Sequence, residues 1–174
     1  ESATVAPVSA YSVSKRACEF YLKSFYQENK ITAIAVRLFN LYGPRQDDRM
    51  VIARFIKQAL ANKPITVYGS GKQTRDFTYI DDCIKVFDLL NKKIKGFHII
   101  NSSKGKDFDI LGLAKTIKKN LKSKSKIIHL KVPKNLEEFQ VLKRCGDSSK
   151  LNKLINYKPS TNFITGLQKT IDNS

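Results

Sequence analysis

From Tyr11 to about Asn29, apolar positions recur at helical spacing, with Val13, Ala17, Phe20, Tyr21 and Phe25 approximating one face. Ser9 stands where an N-cap belongs. Ile31 to Leu38 then runs with few polar residues, as expected of a parallel strand buried on both faces. A helix followed by a buried strand is half of a βαβ unit. After Gly43-Pro44, a polar loop leads to a helix from about Arg49 to Ala61, stopped near Asn62 and Pro64. Ile65 to Tyr68 is a short strand, and Gly69 and Gly71 mark a turn. Tyr68 to Tyr79 reads as a loop closing onto a helix that Asp81 and Asp82 begin and that runs to about Asn91. Phe97 to Asn101 is another apolar strand, and Asp107 or Asp109 caps a helix to about Leu121. Ile127 to Leu130 is a strand, and Lys131 to Gln140 is irregular. Helices from Ser148 to Leu154 and from Phe163 to Asp172 follow, separated by Tyr157-Lys158-Pro159. The alternation gives an α/β class, with no internal repeat.

Composition narrows the function classes. A chain of 174 residues suits one domain or the larger part of a split one. With 41% hydrophobic and 10% aromatic residues it can bury a core, which excludes a disordered chain. No apolar run approaches the roughly 18 residues needed to span a bilayer, so no membrane partner is expected. The first residues show no basic-then-apolar signal pattern. Cys18, Cys83 and Cys145 form no CxxC pair, which suggests reduced thiols of a cytoplasmic protein, used as core filling. His98 and His129 are isolated on strands and read as structural, so no metal is expected. The net charge of +17 invites a nucleic-acid reading. Against it, the chain has 25 lysines and 7 arginines, and Lys115, Lys118, Lys119 and Lys122 are spread over helix faces. Nucleic-acid surfaces favour Arg with interleaved aromatics. The expected use of the charge is a field that draws in an anionic small molecule.

Three segments carry candidate chemistry. Tyr11-Ser12-Val13-Ser14-Lys15 opens the first helix and puts Tyr11 and Lys15 on one face, one turn apart. A free Tyr, with a pKa of about 10, is a poor base near neutrality. A neighbouring ammonium favours the phenolate and makes it a usable one. The YxxxK spacing also occurs at Tyr26/Lys30 and Tyr68/Lys72, so spacing alone decides nothing. Only Tyr11 has Pro7 and Ser9 before it, Ser14 between the pair, Glu19 beyond it and Arg37-Leu38-Phe39-Asn40-Leu41-Tyr42-Gly43-Pro44-Arg45 one helix and one strand later. That second segment sits at the C-terminal end of a strand, where ligands bind in open α/β sheets. In the third, Tyr68-Gly69-Ser70-Gly71-Lys72-Gln73-Thr74-Arg75-Asp76-Phe77-Thr78-Tyr79, Arg75 offers a planar fork for a diphosphate, while Asp76 reads as a loop holder. Gly69-x-Gly71 lacks the spacing of a phosphate-cradling loop.

Together, in this order, the segments resemble the extended short-chain dehydrogenase/reductase family, the NAD-dependent nucleotide-sugar epimerases and dehydratases. The resemblance implies the C-terminal part of a Rossmann-like fold with a small α/β substrate-binding domain. The family's glycine-rich loop lies well upstream of its Tyr, and ten residues precede Tyr11, so the N-terminal glycine-rich half is expected to be absent. Residues 1–45 would end the Rossmann domain, and 46–174 would be mainly the nucleotide-sugar-binding domain, with Phe97–Asn101 returning to the Rossmann sheet. The implied acid/base is Tyr11, assisted by Lys15, which also holds the nicotinamide ribose of NAD. Leu38 and Phe39 would pass beneath the nicotinamide. Asn40, Thr66, Tyr68, Arg75, Asn101 and Arg144 would bind the nucleotide sugar. Asn101 is equally an ordinary turn Asn, and Lys143 competes with Arg144 in the Lys143-to-Leu151 segment. The implied activity is of the UDP-sugar 4-epimerase type, by transient oxidation at sugar C4. A 4,6-dehydratase or decarboxylase, or a non-catalytic nucleotide-sugar-binding fragment, is the alternative. The implied partners are the missing half and, in the intact enzyme, a second copy in a homodimer.

Overall fold

Ser9 opens the first helix as its position predicts. Its hydroxyl accepts from the Ser12 N–H at 3.2 Å, and the Ser12 hydroxyl accepts from the Ser9 N–H at 2.9 Å, a reciprocal capping box. In the computed structural model, which describes residues 1, 6–7, 9–133 and 141–173, this helix α1 is Ala10–Asn29 and ends on Lys30 at φ 57°. Its phase departs from the sequence expectation. Ser12, Arg16, Glu19, Leu22 and Tyr26 are the half-buried positions, whereas Val13, Phe20, Tyr21 and Phe25 are exposed. α1 thus lays a mixed polar face on its neighbours and leaves the apolar face uncovered within this chain.

The next elements are β1 (Ala33–Leu38), β2 (Asn40–Tyr42), α2 (Val51–Leu60), β3 (Ile65–Tyr68), β4 (Thr74–Tyr79), α3 (Ile80–Lys93) and β5 (Phe97–Ser102). They are followed by β6 (Asp107–Asp109), α4 (Ile110–Asn120), β7 (Ile127–Leu130), β8 (Lys143–Arg144), α5 (Ser149–Ile155) and α6 (Phe163–Ile171). Residues 134–140 of the expected irregular segment lie outside the described residues. The class is α/β with Rossmann-like sheets. β1 and β5 pair in parallel, with Arg37 opposite Asn101 and Leu38 opposite Ser102. Among the described residues, β1 has no second partner, and of its residues only Ala33 is buried, so the expectation of burial on both faces is corrected.

After Phe39 the chain leaves that sheet. β2 pairs in parallel with β4, which also takes β6 antiparallel and β8 in parallel. β3 and β7 form a third, parallel pair. The reading of residues 74–79 as loop is wrong, because β4 is the centre of its sheet and Asp76, Phe77, Thr78 and Tyr79 are all buried. α2, α4 and α6 close over these strands around a core built from Tyr42, Ile52, Phe55, Ile56, Ile65, Val67, Phe77, Leu113, Ile117 and Leu167. Each such side chain contributes roughly 1.5–3 kcal/mol on full burial. Tyr42 is its aromatic hub, edge-on to Tyr79 at 5.5 Å and tilted against Phe163 at 5.4 Å, with its hydroxyl donating to the Phe163 carbonyl. A second, smaller cluster of Val86, Leu90, Ile94, Ile100, Leu151 and Ile155 seats α3 and α5 against β5. Cys83 is core filling as expected, but Cys18 and Cys145 are exposed. His98 and His129 each bond a backbone carbonyl, Lys95 and Gly69 respectively, which is a structural use.

Candidate active site

The turn from β1 into β2 makes the cleft. Because β1 and β2 belong to different sheets, Phe39 stands at a switch between them, at the C-terminal ends of parallel strands. A cavity of about 980 Å³ opens there. Tyr11, Leu38, Phe39, Asn40, Asn101 and Arg144 all line it. A cavity of about 520 Å³ between the 43–48 loop, α2 and α6 holds none of these residues.

Tyr11 sits in the first turn of α1 and is 71% exposed. The Lys15 ammonium lies 5.5 Å from the centre of its ring. Of the three YxxxK pairs only this one lies wholly within a helix, since Lys30 is the left-handed cap of α1 and Lys72 follows the β3 turn. Glu19 fixes α1 over the strand. Its carboxylate accepts a fork from Arg37 at 2.6 and 2.8 Å and a third bond from Arg16 at 2.7 Å. The Arg37 fork in particular holds the Glu19 carboxyl below the usual carboxylate range, and Glu19 in turn raises Arg37. Sequence reading gave Glu19 only as part of a pattern, and its role as the clamp between α1 and β1 emerges from the fold.

Asp76 organises the opposite wall. Its buried carboxylate accepts from the N–H groups of Lys104, Gly105 and Gly146 at 3.1, 2.9 and 3.1 Å. Burial pushes this carboxyl up, against the downward pull of those donors. It is a loop holder, as expected. Gly146 fits because a Cβ there would lie 2.6 Å from the Phe39 ring and closer still to Ser103. The Arg144–Asp147 segment can therefore lie directly on Phe39. The Asn40 amide donates to the Asp76 carbonyl and the Asn101 amide to the Asp147 carbonyl, each at 3.3 Å.

The remaining expected residues stand apart from that cavity. Arg75 pairs with Arg144 in register across β4 and β8. One of its nitrogens, Nη1, donates to the Thr74 and Val141 carbonyls, and burial followed by the Arg144 charge lowers its pKa. Among the described residues, neither Arg75 nor Arg144 has a carboxylate partner. Two adjacent unpaired guanidiniums make a locus for an anion. Thr66 has both its N–H and its hydroxyl engaged by Gln58. The Tyr68 ring lies under the Arg54 guanidinium at 5.2 Å. Sequence reading passed over Arg54, and over Glu1, Gln46, Asp47 and Met50 in the cavity wall, and took Cys145, also in that wall, as core filling. An Arg amid the apolar run Val51–Ile56 was the available signal for Arg54.

Comparison with known proteins gives a consistent picture. Residues 1–103 match the model of the NAD dependent epimerase/dehydratase family. The UDP-glucuronate 4-epimerase of Thermodesulfobacterium geofontis is 32% identical over 167 residues, 95% of this chain and 50% of that protein. The UDP-N-acetyl-alpha-D-glucosaminuronate decarboxylase of Bacillus cytotoxicus is 38% identical over 144 residues, 78% of this chain and 44% of that protein. The crystal structure of a Bacillus cereus UDP-glucuronic acid 4-epimerase, in complex with UDP-glucuronic acid and NAD, superposes with a TM-score of 0.85 at 32% identity. It covers 99% of this chain and 56% of that one. The chain thus spans about half the length of these relatives.

Proposed function

The chain belongs to the NAD dependent epimerase/dehydratase family, and from that premise we propose that it is the C-terminal, substrate-binding portion of a nucleotide-sugar 4-epimerase. The observation that carries this reading is the convergence of Tyr11 with Leu38, Phe39, Asn40, Asn101 and Arg144 on one cleft. In this reading residues 1–45 complete a Rossmann domain whose glycine-rich part lies outside residues 1–174, and 46–174 are mainly the nucleotide-sugar-binding domain, with Phe97–Asn101 returning to the Rossmann sheet.

Tyr11 is the acid/base. Its oxygen takes the proton of the sugar 4-hydroxyl as hydride leaves C4. It returns the proton once the keto-sugar has turned and been reduced on its other face. Lys15, one helical turn away, holds its ammonium 5.5 Å from the centre of the Tyr11 ring. The residues present fit the nicotinamide end of NAD: Leu38 and Phe39 give an apolar floor at the strand end, and Lys15 is a cation without a carboxylate partner among the described residues. Bound there, NAD supplies the hydride acceptor. Arg144 and Arg75 take the diphosphate, where the anion offsets the repulsion of two neighbouring guanidiniums. Asn40 and Asn101 bond the sugar and diphosphate. Thr66 and Tyr68 lie toward the base, with Arg54 stacked on Tyr68. A 4,6-dehydratase or a decarboxylase begins with the same oxidation and needs the same residues for it.

The test is Tyr11→Phe in the intact enzyme that carries this chain. Positioned acid/base groups contribute about 10²–10⁴-fold. The variant is expected to lose at least a hundredfold in kcat for 4-epimerisation while keeping its affinity for UDP-sugars. A loss under threefold removes Tyr11 from the mechanism. Elimination or carbon dioxide release in place of epimerisation selects the alternative.

A further inference from the structure

The charges lining the cleft narrow the substrate beyond the proposed reading, on which this inference rests. We propose that the sugar borne by the nucleotide is uncharged, a hexose or N-acetylhexosamine, and that Asp47 turns uronic acids away. Among the described residues, the ionised groups of the cavity wall are the carboxylates Glu1, Asp47 and Asp147 and the guanidiniums Arg37 and Arg144. No described Lys or His lines it. Arg37 is already neutralised by the bidentate bond to Glu19. Arg144, beside Arg75, is the group a diphosphate claims. Among the described residues, no cation of this wall is left for a second anionic group on the sugar.

Asp47 makes the mismatch worse. Arg49 Nε donates to both carboxylate oxygens at 2.9 and 3.0 Å, Nη2 adds a bond at 2.7 Å, and the Arg49 N–H adds another at 2.8 Å. The Arg49 side chain thereby holds the Asp47 carboxyl down to about 2, so it is ionised at any working pH. The Arg49 fork is spent on this pair, its side chain is 86% exposed, and it is not part of the cavity wall. A carboxylate at sugar C6 would therefore meet no free cation among the described residues of this wall, and would face the carboxylate side of the Asp47–Arg49 pair. A hydroxymethyl or N-acetyl group meets no such field, and the amides of Asn40, Gln46 and Asn101 offer donors and acceptors suited to hydroxyls. Discrimination of this kind comes from repulsion of the wrong substrate. Because Asp47 is exposed, solvent and salt screen it, which limits the effect to roughly two- to fivefold.

The experiment is titration calorimetry of UDP-glucose, UDP-N-acetylglucosamine and UDP-glucuronate with the intact enzyme, as wild type and Asp47→Asn. Each titration is run at about 50 and about 500 mM salt, on either side of strong screening. The neutral sugars are expected to bind roughly two- to fivefold tighter than UDP-glucuronate at low salt. The gap should narrow at high salt, and Asp47→Asn should close it by strengthening UDP-glucuronate. The wild-type salt series stands by itself if the variant does not fold. Equal or tighter binding of UDP-glucuronate overturns the inference and leaves the nucleotide-sugar reading intact. A gap that Asp47→Asn leaves unchanged removes Asp47 from the discrimination. Absence of binding by all three sugars overturns the nucleotide-sugar reading and this inference with it.

Discussion

Helix α2 turns Ile52, Phe55, Ile56 and Ala59 into the core, whereas α1, twice as long, fully buries none of its residues. Both helices carry apolar residues in quantity. α2 presents them to β3, α4 and the aromatic hub around Tyr42, and so becomes part of a closed unit. α1 leaves Phe20 58% and Tyr21 75% exposed and is joined to β1 through the Glu19–Arg37 clamp. In the proposed function, the groups that hold the nucleotide sugar ride mostly on the closed unit, and Tyr11 rides on the open one. Recognition then has a rigid platform, and the reactive phenol comes from an element secured by polar contacts.

The strongest way to break this contrast is Phe55→Ala. Phe55 is fully buried, and truncation should cost about 3–5 kcal/mol, read as a lower urea midpoint at unchanged slope. A cost below 1 kcal/mol would mean the core is not closed as described.

Arg75→Ala sharpens it next, on the recognition side. A charge-assisted bond to a diphosphate contributes roughly 1.5–3 kcal/mol, so KM for the nucleotide sugar should rise about ten- to a hundredfold with little change in kcat. Unchanged affinity in a titration calorimeter would remove Arg75 from the site and leave its bond to Val141 as its purpose.

Glu19→Gln probes the clamp. Gln keeps one acceptor oxygen but no charge, so two partly exposed guanidiniums lose their carboxylate, and partial solvation limits the cost to about 1–2 kcal/mol. The sign with pH follows from the lowered Glu19 pKa. The clamp is fully present above the ordinary glutamate value and is lost as pH falls through the lower folded value. Circular dichroism should show that the variant lacks this acid-side component. An acid profile identical to that of the wild type would contradict it.

The smallest effect belongs to Phe20→Ala, expected within about 0.5 kcal/mol in this chain because the side chain is exposed. A loss comparable to Phe55→Ala would show that the α1 face is covered.

These contrasts mark where the sequence was legible. The helix starts at Ser9 and Asp109, and the pairing strands Ala33–Leu38 and Phe97–Ser102, follow from periodicity and capping. Tyr11, Leu38, Phe39 and Asn40, which line the cleft together, could be singled out because their motifs are local. β4 was not, because Thr74, Arg75 and Asp76 look like turn residues and become a strand only through β6 and β8, far along the chain. The burial of Asp76 depends on N–H donors at Lys104, Gly105 and Gly146, which no local pattern announces. The phase of α1 misled for a different reason. Periodicity identifies an apolar face but not which neighbour covers it, and here the strand takes the polar face through Glu19.

Site-resolved native-state hydrogen exchange of this chain tests most directly the claim that a closed recognition unit carries an open catalytic one. Amides of α2, β3, β4 and α4 should exchange only through global unfolding. Those of α1, which bury no side chain behind them, should exchange at least about a hundredfold faster through local opening. Equal protection across α1 and α2 would contradict the division on which the account rests.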